Sequence, residues 1–328
     1  MSDSLVHSTG MMGTVVTIQV VGHDDSPAQR ADRQSAVERA VEWFRVIESV
    51  CTRFDEASEL RQLCARVGEP VVVSELLFRA VQFAVQVAEE SGGAFDPTVG
   101  EALVARSGGA WAGLAAPPQA SYQDVMLDEA IRAVTLRRSL LLDLGAVAKG
   151  LAVDAAAREL APYRNFVVDA GGDLYVGGSN ASGDPWSIGI RHPRDASTLI
   201  ETIRISDSAV CTSGDYDPKS RTADGGHHIL DPRSGSSRRA PGPAGRTYAA
   251  AATRGSNRTP AAGGPRDPVP SAMELASVTV IAPSAMVADA LGTAAFVLGP
   301  TAGINLLERN GVRGILFTPE LERFETRA

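Results

Sequence analysis

Forty-one consecutive residues, 236–276, set the first limit on the fold. Twenty-five of them are Gly, Ala, Pro or Ser, six are Arg, and only Asp267 and Glu274 are acidic. A stretch with so few large apolar side chains cannot build a core and reads as a flexible, basic insertion. Residues 1–235 and 277–328 are then expected to fold as a single domain. Six arginines against two acids give the insertion +4, so the rest of a chain of net charge −8 carries −12. An acidic body with 5% aromatics is a poor binder of nucleic acid, which needs a basic footprint and stacking platforms. Hydrophobic residues at 44% and charged residues at 21% are ordinary for a soluble globular protein. No apolar run approaches the ~18 residues of a membrane helix. The opening MSDSLVHSTGMMGT lacks a signal peptide's basic and apolar regions. Cys51, Cys64 and Cys211 fall outside any CxxC spacing and are expected to be reduced thiols. A cytoplasmic protein without membrane insertion is the expectation.

Helix and strand periods alternate along the ordered parts. Met11–Val21 reads as a strand. Apolar side chains at three- and four-residue steps predict a helix over Gln34–Val50, and Ser74 caps a second one that ends at Gly92-Gly93. Between them, residues 51–60 read as a polar turn. A helix is predicted over Ala148–Ala161. Strands are predicted at Phe166–Asp169, Trp186–Ile190, Thr202–Ile205, Ser277–Ile281 and Gly314–Phe317. Further helices are predicted from Pro283 to Leu298 and around Ile304–Arg309.

Three places bear chemistry. At the junction D-L-G-A-V-A-K-G, Asp143 precedes Gly145, and Lys149 sits in the first turn of the following helix, whose free N–H groups attract anions. The plainer alternative is an N-capping Asp143 and a solvated Lys149. In G-G-H-H-I-L-D-P-R-S-G, His228 enters a turn fixed by Asp231-Pro232 and is a plausible general base. In A-D-A-L-G-T, Asp289 and Thr293 are four residues apart on one helix face, a pairing that suits a hard cation such as Mg²⁺. An exposed Asp289 and a Thr293 bonded back to the helix are the alternative. The glycine clusters at 91–100 and 169–174 mark tight turns and do not match GxGxxG.

Read in order, M-G-T at 12–14, S-E-L at 58–60, G-A-F-D-P-T-V-G at 93–100, D-L-G-A-V-A-K-G-L-A-V-D at 143–154, V-D-A-G-G-D-L at 168–174, T-S-G-D-Y at 212–216, H-H-I-L-D-P-R-S-G at 227–235 and S-V-T-V-I-A-P-S-A-M-V-A-D-A-L-G-T-A at 277–294 resemble the ApbE family of FAD:protein FMN transferases. The resemblance spans nearly the whole chain. It implies a two-lobed α+β fold related to the T-fold, with FAD and Mg²⁺ between the lobes. It implies that Met12, Phe54, Ala94, Phe95, Asp96, Asp143, Lys149 and the backbone of Leu230 bind FAD. Mg²⁺ would be held by the Ala146 carbonyl, Asp289 and Thr293, and His228 would serve the catalytic step. Gly292 stands where some members carry an acid. The implied reaction is Mg²⁺-dependent transfer of FMN from FAD to a Thr or Ser hydroxyl of an acceptor protein, with release of AMP. An FAD pyrophosphatase and a non-catalytic FAD-binding protein are the alternatives.

Overall fold

The N-terminal segment is a hairpin rather than the single strand its apolar run suggests. Strands β1 (Asp3–Met11) and β2 (Thr14–Gly22) pair antiparallel with Met11 opposite Thr14. Met12 and Gly13 form the two-residue tip at φ 49° and 73°, both positive, as a tight hairpin turn demands. β1 escapes sequence reading because its alternation is weak and its side chains are largely polar. A computed structural model of the protein describes residues 3–22, 26–106, 120–215, 229–233 and 275–327.

Helix α1 (Pro27–Cys51) follows. Ser26 and Gln29 cap each other's backbone at its start, and Val37, Ala40, Val41, Phe44 and Ile47 are buried along one stripe. It begins about two turns before the predicted start because its first residues carry no apolar stripe. α2 (Glu59–Cys64) grows out of the stretch expected to be only a turn, capped by Ser58. Then come β3 (Pro70–Val72), α3 (Glu75–Glu90), α4 (Gly100–Arg106), β4 (Val125–Asp128) and β5 (Ala133–Leu136), with Ser74 capping α3 as expected. α5 (Gly145–Leu160) leads into β6 (Phe166–Ala170), β7 (Asp173–Gly177), β8 (Trp186–Arg191), β9 (Leu199–Ile205) and β10 (Ser208–Gly214). After the insertion come β11 (Ser277–Ala282), α6 (Ala285–Leu298), α7 (Pro300–Arg309), β12 (Arg313–Phe317) and β13 (Arg323–Glu325).

Eight strands form one antiparallel sheet in the order β1-β2-β6-β7-β10-β11-β12-β13. Its two faces bury different partners. One face carries α1, α5, α6 and α7, and this main core continues into α3 and the small sheet β3-β5-β4. The other face is covered by the β8–β9 ribbon through Leu174, Val176, Trp186, Ile190, Ile203 and Phe317. The result is the expected α+β architecture in two parts: the large sheet with its helices, and the small sheet with α2–α4.

Two sequence expectations need correction. Against the expectation that no apolar run nears membrane-span length, the segment Ala285–Arg309 is long and apolar enough to cross a membrane by composition alone, but most of it is buried in the fold. It is two core helices, α6 and α7, divided at Gly299-Pro300. The second correction is the end of the insertion. Leu275 and Ala276 are fully buried, and Ala276 donates its N–H to Phe317 O and accepts from Asp215 N. These two residues belong to the sheet, and the rest of 236–276 lies outside the described residues.

Candidate active site

The site is built where α5 and α6 cross. A Cβ at Gly150 would lie 2.5 Å from Ala285 O and from the Met286 backbone, so only glycine permits this approach. The close crossing brings Lys149, one residue earlier, to Asp289 on α6: Nζ lies 3.5 Å from Oδ2. The same ammonium bonds Asp173, the first residue of β7. Asp173 and Asp289 are both buried. One lysine thus stands between two buried carboxylates, an arrangement that leaves one negative charge uncompensated.

Asp289 carries the consequence. Burial pushes its carboxyl up to about 7, and the nearby Asp173 adds to this while Lys149 opposes it. Among the described residues its Oδ2 is buried without a hydrogen-bond partner, and the Lys149 ammonium is the cation that faces it. One turn on, the Thr293 hydroxyl makes, among the described residues, a single long side-chain contact, 3.4 Å to Ser213 Oγ. An acid that holds its proton near neutrality, next to a loosely held hydroxyl, fits a hard cation better than it fits a closed hydrogen-bond network. Ala146, three residues before Lys149, shares its face of α5. Lys149 has its basicity raised by Asp173 and Asp289 against the opposing effect of burial, so it stays charged. The solvated-lysine alternative is set aside. A Cβ at Gly292 would come within 3.3 Å of Ser213 Oγ, so a side chain there would need the Ser213 hydroxyl to give way slightly.

A second group surrounds the start of α5. Asp143 donates its N–H to Pro97 O at 2.7 Å and accepts from Gly145 N at 2.8 Å through Oδ1, while its Oδ2 takes an ion pair from Arg53. The capping alternative for Asp143 is thus partly realised: it steadies the first helical turn, although Leu144 holds the cap position. The loop Ala94-Phe95-Asp96 is buried beside it. The Asp96 carboxylate accepts from Thr98 N, Thr98 Oγ1 and Tyr122 N, so it acts by holding the loop from inside. Phe54 is 82% exposed, its ring under the Arg53 guanidinium.

The hairpin tips close the other side. Gly171 and Gly172, at φ 71° and 102°, turn β6 into β7 directly before Asp173. A Cβ on Gly171 would run into Thr14 Oγ1, so the Met12-Gly13 tip lies against this turn. Met12 N is bonded to Glu48 Oε1 at 3.1 Å. Ile229 and Leu230 are buried, but His228 lies outside the described residues.

Two site residues escape sequence reading. Asp173 is hidden behind the glycine pair that marks a turn, and its partner is 24 residues away. Arg53 is hidden in the polar turn, with its partner 90 residues away. The signal for Asp173 is a carboxylate opening an apolar strand. Nothing local marks Arg53.

A half-buried lysine between two buried acids, with a further anchored carboxylate at the head of the same helix, gathers charged groups at one helix crossing. Comparison with known proteins supplies the family. The ApbE family model matches residues 12–241 and 258–316, and the chain belongs to the ApbE family. The FAD:protein FMN transferase of Klebsiella pneumoniae is 27% identical over 338 residues, 96% of this chain and 84% of its own length. That of Treponema pallidum is 28% identical over 342 residues, 94% of this chain and 83% of its own length. The solved ApbE protein of Thermotoga maritima superposes at a TM-score of 0.77 and 27% identity, over 99% of this chain and 97% of that one. The flavin transferase ApbE of Vibrio cholerae gives 0.76 at 22% identity, over 99% and 98%, a likeness of fold.

Proposed function

We propose that this chain moves the FMN part of FAD onto a Thr or Ser hydroxyl of an acceptor protein in a Mg²⁺-dependent reaction that releases AMP. Flavin transfer as a class comes with the family; the cation, the leaving group and the residue roles are our reading. The observation that carries it is the buried Oδ2 of Asp289, without a hydrogen-bond partner among the described residues, one turn from Thr293 and 3.5 Å from Lys149.

Asp289, Thr293 and the Ala146 carbonyl would hold Mg²⁺, which when bound neutralises pyrophosphate charge and stabilises departing AMP. Lys149, fixed by Asp173, presents a permanent positive charge to the phosphates. Asp143, Met12, Phe54, the 94–96 loop and the Leu230 backbone bind the nucleotide. The acceptor hydroxyl oxygen bonds to the FMN-side phosphorus, the bond from that phosphorus to the AMP oxygen breaks, and His228 takes the hydroxyl proton. Excluding water from the acceptor's position separates transfer from hydrolysis.

The test is incubation of the protein with FAD, Mg²⁺ and a cell extract, read as fluorescent protein bands and released AMP. Transfer predicts flavin covalently on a band together with stoichiometric AMP. AMP without a labelled band would favour the pyrophosphatase, and FAD binding without AMP would favour a binding protein. His228→Ala is expected to keep FAD binding and lose about 10²–10⁴-fold in transfer, the usual worth of a general base. A larger loss from His227→Ala would move the role to that histidine.

A further inference from the structure

Arg53 has no role in the reaction described so far, yet it joins two of its groups. Its Nε bonds Asp143 Oδ2, and its Cζ lies 4.2 Å from the centroid of the Phe54 ring. Arg53 and Asp143 are each only 16% exposed, whereas Phe54 is 82% exposed. The loop's backbone is already fixed without Arg53. Phe54 N donates to Thr52 Oγ1 at 3.2 Å, Ser58 Oγ to Thr52 O at 2.6 Å, and Ala57 N to Asp55 Oδ1 at 2.9 Å. What the loop leaves free is the direction of the ring. A phenylalanine this exposed, with one face on a guanidinium, turns the other face outward as a flat apolar platform.

We propose that Arg53 is a positioning residue that locks the Phe54 platform to the Asp143 anchor, so that an aromatic ring of FAD stacks at a fixed distance from the head of α5. The proposal rests on the reading above that Phe54 and Asp143 face FAD. Arginine suits the task and lysine does not. A planar guanidinium bonds a carboxylate along its edge and lies on a ring with its face at the same time, whereas an ammonium is a point charge. Asp143 keeps its capacity for a ligand, because among the described residues each of its oxygens takes one bond and has a second lone pair.

The experiment is FAD affinity, read by flavin fluorescence quenching, for the parent, Arg53→Ala, Arg53→Lys, Phe54→Ala and the double variant Arg53→Ala/Phe54→Ala. Each alanine substitution is expected to weaken FAD by about tenfold, with the double variant no weaker than either single one. Arg53→Lys is expected to behave like Arg53→Ala, with the melting temperature of every variant near the parent's. A merely structural arginine would instead give additive losses, about a hundredfold in the double variant, and this would overturn the proposal. So would parental affinity in Arg53→Lys, which also stands in if Arg53→Ala fails to fold. If Phe54→Ala binds FAD as the parent does, the platform reading itself falls. If that variant loses affinity but the cycle is additive, only the role of Arg53 falls.

Discussion

Two acids at the α5–α6 crossing show how differently one interface can treat a carboxylate. Asp154, on α5, accepts from Ser284 Oγ at 2.6 Å, Ala285 N at 2.7 Å and Met286 N at 3.0 Å, and so caps α6 from a neighbouring helix. Asp154 is half-buried; Asp289, on α6, is buried, and among the described residues its Oδ2 faces nothing but the distant ammonium of Lys149. Burial raises the carboxyls of both. The three donors counter that rise at Asp154, whereas at Asp289 the second acid makes it worse. A satisfied acid is part of the scaffold, and on our proposal the unsatisfied one is held for a ligand.

The comparison breaks first at activity. Asp289→Ala is expected to lower AMP release with FAD and Mg²⁺ by at least about 10²-fold while the fold survives, as removal of a metal's carboxylate would. Folded protein with parental turnover would end the assignment. Asp154→Ala should do the reverse. It strands the first N–H groups of α6 and is expected to cost about 2–4 kcal/mol of stability, seen as a fall of several degrees in melting temperature. Flavin chemistry should persist in the protein that remains folded, and a loss of turnover without loss of stability would place Asp154 in the site. Gly150→Ala should touch both acids, because the new methyl forces the two helices apart; we expect about 1–3 kcal/mol of destabilisation and weaker FAD binding together. A change in only one of the two readouts would mean that the acids do not share one interface.

The smallest effect is expected far from both acids. Removing 236–274, and so sparing the buried Leu275 and Ala276, should shift stability by little more than loop-closure entropy, about 0.6 kcal/mol per halving of length. Six arginines in that stretch are also expected to steer an acidic acceptor. Transfer by the full chain should then fall with ionic strength, and the deletion should flatten the dependence. An unfolded deletion variant would show that the segment packs.

Much of this is legible in the sequence, for reasons that differ by element. The apolar stripes of α1, α3 and α6 declare themselves because a helix repeats its buried face every few residues. The pair Asp289 and Thr293 is legible for the same reason: i and i+4 share a face whatever the tertiary structure. β3, β4 and β5 are not, since strands of three or four residues carry too short an alternation to stand out. The hairpin tip at Met12 is missed because a left-handed methionine leaves no mark in the composition. Asp154 stands in the same motif as Lys149, yet only its contacts with Ser284, 130 residues on, show that it is a structural acid. Long-range pairing is the part a single sequence withholds, and both Asp173 and Arg53 depend on it.

The central claim is that Asp289 is held for a cation, and thermal unfolding at pH 8 of the parent and Asp289→Asn, with and without Mg²⁺ plus FAD, tests it most directly. An acid raised to about 7 in the fold from its ordinary value of 3.8 releases its proton less readily there than in the unfolded chain. Its effect is a loss of stability that accumulates as pH rises from about 4 to 7 and is complete above that. Without ligands, Asp289→Asn should therefore melt above the parent at pH 8, and Mg²⁺ with FAD should raise the parent while leaving the variant nearly unmoved. A variant that melts below the parent when ligand-free, or gains as much as the parent from Mg²⁺ and FAD, would contradict the claim.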